Sequence, residues 1–333
     1  MISRPAPRFW VAISVSAVVL LLTAIITPLI GSSHIDYGRA LAGASPDHEI
    51  LFYARLPRVL LALLAGGGLS ATGVLFQALL RDPLAEPYTL GISSGASFGA
   101  VLALCLGLTS FGAIPAIPFA STLGAGVVLV IVLVLAYEGR RISSFTLLLA
   151  GVTINSISLA LILFLHNLAT FQQSFAITRW MMGGLDAVDY STLVWLAAVI
   201  VPTCLAVSWR ARDWNLLAVG EEWAATRGVA ASRLTVIGYV AGSLMTGFST
   251  ALTGPIGFVG LIVPHALRLW LGADHRTLLP CSILLGAAFL AICDGVSRTV
   301  LAPTEIPVGV ITALIGGPCF IGLLRSKRRS LWL

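Results

Sequence analysis

Apolar residues in this chain come in blocks of about 17 to 25, the length a helix needs to cross a hydrocarbon core of about 30 Å. Short stretches rich in Arg, Asp, Pro and Gly separate them. The blocks fall at roughly residues 9–30, 57–80, 90–108, 119–137, 147–166, 192–209, 235–253, 257–271, 280–300 and 307–324. This pattern predicts an all-α polytopic membrane protein with about ten transmembrane helices, organised as one transmembrane domain over residues 1–333. The block at 257–271 is the shortest and carries Pro264, His265 and Arg268. The first block follows Arg4 and Arg8 but is longer than a signal h-region of about 7–15 residues. It ends Thr27-Pro28-Leu29-Ile30-Gly31 without a small-x-small cleavage pattern, so it reads as an uncleaved span.

Composition sharpens this picture. Hydrophobic residues make up 58% of the 333 and charged residues 10%, which excludes a water-soluble globule. The excess of 20 Lys+Arg over 14 Asp+Glu is spread thinly, leaving no basic patch for nucleic acid. Short cytoplasmic loops collect Lys and Arg. With the N-terminus in the cytoplasm, only Arg39, Arg55, Arg58, Arg179 and Arg298 fall outside, and the other 15 of the 20 fall inside. Ten spans then place both termini in the cytoplasm, in a membrane that the resemblance below implies is the bacterial inner membrane.

Several kinds of chemistry are missing. The only lysine is Lys327, after Ser326, so no G-x-x-x-x-G-K-[ST] phosphate loop exists. His34, His48, His166, His265 and His275 are scattered without H-E-x-x-H, and Cys105, Cys204, Cys281, Cys293 and Cys319 show no C-x-x-C. No metal site, resident cofactor or enzyme activity is expected. Ion-coupled carriers keep ionisable groups near the midplane. Here Asp294 and Arg298, four apart near the outer end of the ninth span, read as a helical pair. The energy source is therefore expected on another chain; a stand-alone ion-coupled secondary transporter is the competing reading.

Polar features remain to be placed. Between the sixth and seventh spans, about residues 216–231 have helix formers, an acidic first turn at Glu221 and Glu222, and Gly228 as a stop, predicting a short cytoplasmic helix–turn–helix. Asp82-Pro83-Leu84-Ala85-Glu86-Pro87 and Gly254-Pro255-Ile256-Gly257 interrupt the spans at opposite faces, as two inverted five-helix halves would. Thr153, Asn155 and Ser156 in the fifth span suit either a weakly interacting pore wall or helix–helix hydrogen bonds. Arg55, Arg58 and Arg298, on the outside, either snorkel or meet carboxylates of a docked protein.

Longer motifs point further. Arg55-Leu56-Pro57-Arg58 through Gln77-Ala78-Leu79-Leu80-Arg81-Asp82-Pro83-Leu84-Ala85-Glu86-Pro87 to Leu90-Gly91-Ile92-Ser93-Ser94-Gly95-Ala96 resembles the signature of the FecCD family, permease subunits of ABC importers for ferric siderophores, haem and cobalamin. Trp180-Met181-Met182-Gly183-Gly184, Gly257 through His265 with Asp274-His275-Arg276, and Glu305-Ile306-Pro307-Val308-Gly309 with Gly316-Gly317-Pro318 match as well. The resemblance implies a type II ABC importer permease fold and a homodimer. It also implies two ATP-binding cassette subunits that carry ATP and Mg, and a periplasmic or lipid-anchored substrate-binding protein. It places ATPase coupling at Gly220, Glu221, Ala225, Arg227 and Gly228, and a cytoplasmic gate at Asp82, Leu84, Ser143 and Ser144. A cobalamin permease has Asn where this chain has Asp82. The translocation path would run along the fifth and tenth spans, with Thr153, Asn155, Ser156, Gly309 and Thr312, and docking of the binding protein would fall to Arg55, Arg58 and Arg298.

Overall fold

The computed structural model describes residues 7–31, 33–111, 114–139 and 141–330. Arg4 and Arg140, two of the cytoplasmic charges in the topology argument, lie outside the described residues. The order of elements begins α1 (Pro7–Ile26), a 3-10 turn (Thr27–Leu29), α2 (Tyr37–Leu41) and α3 (Asp47–Glu49). A π turn at Ile50–Arg55 carries α3 straight into α4 (Leu56–Leu80). Then come α5 (Ile92–Cys105), α6 (Ala116–Ala136), α7 (Ser144–Leu168), α8 (Phe171–Met181) and α9 (Tyr190–Trp209). The chain ends with α10 (Ala211–Val219), α11 (Glu221–Thr226), α12 (Ala231–Thr253), α13 (Val259–Leu271), α14 (His275–Thr299) and α15 (Val308–Ser330). Two antiparallel ladders of two residues per strand, Ser110–Phe111 with Ile114–Pro115 and Tyr137–Glu138 with Arg141–Ile142, close the turns around α6.

Seven helices are long and apolar enough to cross a membrane, and three shorter apolar ones, Ile92–Cys105, Val259–Leu271 and Val308–Gly322, complete a set of ten. At 1.5 Å per residue, the 14 residues of α5 and 13 of α13 span only about 20 Å. Irregular backbone supplies the missing length, and in a bilayer it survives only where protein surrounds it. Residues 81–91 precede α5 and residues 254–258 precede α13, so a long helix, a break and a short helix occur twice. Arg81 (φ 54°) ends α4 and Phe258 (φ 69°) opens α13, the two non-glycine residues with positive φ among those described. The breaks satisfy themselves locally. The Asp82 carboxylate accepts from Leu84 N at 2.9 Å, and Glu86 O accepts from Thr89 N and Oγ1 at 3.0 and 2.7 Å.

The two repeats cross at the centre. α4 is the core, with 83% of its most apolar window buried, against 11% for α1. Lipid tails give no hydrophobic drive between helices, so small residues that permit close backbone approach hold them together. A side chain at Gly73 would meet Gly260 O at 1.8 Å, which fixes how near α4 and α13 pass. Thr72 Oγ1 donates to Gly68 O on its own helix and lies 3.3 Å from Gly242 O on α12. α6, α7 and α9, each 28% buried over their windows, form the outer wall.

The predicted helix–turn–helix near 216–231 starts earlier, because α9 stops at Trp209 and α10 begins at Ala211, with Arg212 and Asp213 in its first turn. Trp214 anchors the corner: it is fully buried and its Nε1 donates to Val207 O at 3.0 Å. α11 ends on Gly228 (φ 82°), whose freedom to take a left-handed conformation lets Val229 N reach back to Ala224 O at 3.0 Å.

Candidate functional site

The residues predicted for coupling, gate and docking gather at the two ends of the bundle, and Thr153, Asn155 and Ser156 lie midway along α7. At one end, Glu221 opens α11 and receives Arg81 Nη2 from the end of α4 at 3.1 Å. The same Oε1 accepts Ser144 Oγ, in the first turn of α7, at 3.2 Å. The carboxylate of Glu221 thus joins the end of α4 to the start of α7. Arg81, Glu221, Glu222, Ala225 and Ser232 help line a cavity of about 680 Å³. Ser143 caps α7 by accepting Thr146 N at 3.2 Å, Asp82 shapes the turn before it reaches Leu84, and the Leu84 side chain stands 38% exposed. Arg227 lies over the Trp223 ring at 5.0 Å, and Ala225, Arg227 and Gly228 face outward on α11.

A second link at this end was not anticipated. Asn215 on α10 donates from Nδ2 to Asp274 Oδ1 at 2.8 Å, and its Oδ1 accepts His275 N at 2.8 Å, with His275 Nδ1 at 2.7 Å. Asp274 also caps α14 through Arg276 N at 2.9 Å. The surface helices are therefore fastened to α4, α7 and α14 at once. The signal was present in the Asp274-His275-Arg276 block, but its partner lies 59 residues upstream, beyond any local pattern.

At the opposite end a buried ion cluster joins α4 to α14. Asp294, fully buried, accepts Arg58 Nε at 2.8 Å on Oδ1, and its Oδ2 lies 3.0 Å from Arg298 Nε in the expected i,i+4 ion pair, while that Nε donates to the Asp294 backbone carbonyl at 3.4 Å. Arg58 Nη1 reaches Glu305 Oε2 at 2.8 Å. Arg298 also donates to Ile30 O at 3.1 Å and Thr27 O at 3.3 Å, and Arg55 donates to Pro28 O at 3.3 Å and to Ser33. Both arginines satisfy carbonyls left open where α1 ends.

This geometry sets the surroundings of the three arginines expected to dock a partner. Arg55 and Arg298 are 6% and 4% exposed and are used up inside the chain, so neither presents a free cation; Arg58 keeps a solvent edge, with 13% of its side chain exposed. The path expectation divides similarly. Thr153 and Ser156 lie on the open face of α7, with Asn155 half-buried beside them. Thr312 is fully buried with its hydroxyl on Gly309 O at 3.0 Å. Gly309 packs so tightly on Met182 that a side chain would meet its carbonyl at 2.2 Å. Both residues pack against the chain's own backbone. The breaks themselves touch at Glu86, whose carboxylate accepts Phe258 N at 3.4 Å. Among the described residues no three His, Cys, Asp or Glu side chains form a metal-holding group.

Such a bundle, broken twice and with helices laid across one end, is matched by known proteins. The model of the FecCD transport family covers residues 17–326. The chain belongs to this family. A hemin transport system permease protein, HmuU of Yersinia pestis, is 38% identical over 278 residues, 83% of each chain. A vitamin B12 import system permease protein, BtuC of Shigella boydii serotype 18, is 37% identical over 314 residues, 94% of each. A solved structure assigned to the metal-chelate type of ABC transporter, in an inward-facing conformation, superposes with a TM-score of 0.84 at 30% identity, covering 95% of this chain and 98% of that one. This FecCD chain is accordingly an ABC transporter permease that spans the membrane many times.

Proposed function

We propose that this permease is the membrane subunit of an ATP-driven importer for a metal chelate: a ferric siderophore, cobalamin or haem. Two copies sit side by side in the bacterial cytoplasmic membrane with their termini in the cytoplasm. Two ATPase subunits, holding ATP and Mg, dock on the α10–α11 end. A substrate-binding protein delivers the chelate at the end marked by Arg58. Substrates named for relatives, hemin and vitamin B12, support the chelate class.

The observation that carries this reading is Glu221. One carboxylate on an exposed surface helix holds both the end of α4 and the start of α7. ATP-driven closure of partners bound to α11 would then shift the helix ends that bound the gate. The pore-facing groups proposed on α7, Thr153, Asn155 and Ser156, are small and uncharged, as suits a large cargo that is not held tightly in transit. The exposed apolar face of α7, with Phe145, Leu149, Val152 and Ile157, suits a second copy.

Co-purification of the chain with products of its neighbouring genes tests the assembly. The expected result is recovery of an ATPase and a binding protein that takes up cobalamin, haemin or a ferric siderophore at micromolar affinity or better. A chain that purifies alone under conditions preserving its fold would overturn it.

A further inference from the structure

The second break, residues 254–258, is the bed on which α15 lies. A side chain at Gly309 would meet Pro255 O at 3.3 Å, and one at Gly316 would meet Phe258 at 2.4 Å from Cγ, 2.6 Å from Cδ1 and 2.7 Å from Cβ. Gly309, Thr312 and Gly316 share one face of the helix, and Thr312, between the two glycines, is fully buried. The contact at Gly316 reaches the root of the Phe258 side chain, so turning the ring makes no room for a methyl group. The first break braces the bed from its other side. Glu86 accepts Phe258 N at 3.4 Å, and a side chain at Gly260 would meet Pro87 Cδ at 3.0 Å. Phe258 itself holds φ 69°, a left-handed conformation that a bulky residue keeps only where its surroundings impose it.

We infer that Phe258 is a positioning residue for transport: its ring, seated against Gly316, sets where α15 lies, and the first break sets where the ring lies. The inference rests on the importer reading and adds to it the side chain that joins both breaks to a helix of the proposed path. A glycine would hold φ 69° without strain, so the backbone alone gives no reason for phenylalanine here. The ring supplies the reason, because it fills the space that Gly316 leaves open. In lipid, where packing rather than water expulsion holds helices together, such a fit fixes the distance between α13 and α15. Displacing α15 by the width of a methyl group would shift the wall of the proposed path without touching the cargo, the ATPase or the binding protein.

The test is uptake into proteoliposomes holding the permease with its co-purified ATPase and binding protein. The cargo is labelled cobalamin, haemin or ferric siderophore, whichever of the three that binding protein takes up. Uptake per ATP hydrolysed is read beside Tm and ATPase recovery, since a merely structural defect lowers those two. Gly316→Ala drives a methyl group into the ring and is expected to lower uptake per ATP about tenfold or more, with the ATPase still recovered. Phe258→Gly keeps the backbone and the bond to Glu86 but removes the ring, and should lower it about two- to five-fold. The Phe258→Gly, Gly316→Ala double variant restores the space and should exceed Gly316→Ala alone about threefold or more. Gly126→Ala, in open space, should match the wild type. Losses that add in the double variant, or wild-type uptake per ATP in Gly316→Ala, would refute the positioning role. Phe258→Gly carries the test alone where Gly316→Ala does not fold, and unchanged uptake per ATP in it would refute the role as well. Loss of Tm and of the ATPase together, unrelieved in the double variant, would make the contact structural only and the proposal false. Failure of the wild type to take up any of the three cargoes with ATP would instead overturn the importer reading.

Discussion

Glu86 and Phe258 stand on the two broken segments of the bundle, and the carboxylate of one accepts the backbone N–H of the other at 3.4 Å. The contact joins two repeats 172 residues apart where each abandons helical structure. It also puts a carboxylate against the first turn of α13, the end of a helix that favours negative charge.

Asp294 is the fixed point of the outer cluster, and removing it leaves the buried Arg298 guanidinium without an anionic partner. Asp294→Ala should cost about 3–5 kcal/mol, because the remaining partners of Arg298 are neutral carbonyls. Denaturant unfolding in detergent measures this; a loss below about 1 kcal/mol would mean that water reaches the cluster freely.

Helix spacing gives a paired test. Gly73→Ala would drive a methyl into Gly260 O and push α4 from α13, at a cost of about 1–3 kcal/mol or more. Gly126→Ala, with nothing within 4 Å, should be neutral or raise stability by about 0.5–1 kcal/mol. The two Tm values should move in opposite directions or one should not move; equal losses would contradict the packing described.

The Arg81–Glu221 pair is 41% and 34% exposed and contributes little to stability, about 0–1 kcal/mol. Glu221→Arg should therefore leave Tm nearly unchanged while sharply reducing ATP-dependent uptake. Restoring the pair as Arg81→Glu, Glu221→Arg should recover much of that uptake. No recovery would mean that Glu221 acts on the ATPase directly rather than through α4.

The helical bundle was legible because lipid demands long apolar runs, and ten such runs survive in the sequence. The breaks were legible too, through Pro83, Pro87, Gly254 and Pro255. Boundaries beside charge were not. The second apolar block begins at residue 57, yet the helix continues back through a π turn to Asp47, because the Arg55 guanidinium finds carbonyls just after the end of α1. α8 escaped notice for want of a long apolar run, although Thr170 and Gln173 form a capping box at its start. The ion partners were hidden for a different reason. Arg58 and Asp294 are 236 residues apart and Arg81 and Glu221 are 140 apart, so no periodicity along the chain relates them. Arg55 and Arg298 read as surface charges for the same reason: the carbonyls they bind belong to the segment just after α1.

The most direct measurement is uptake into proteoliposomes holding this permease with its ATPase and binding protein, using labelled cobalamin, haemin and a ferric siderophore. The account predicts accumulation of one of these only when ATP is supplied on the ATPase side, with no response to an imposed proton or sodium gradient. Uptake by the chain alone, driven by an ion gradient with no ATPase present, would contradict it.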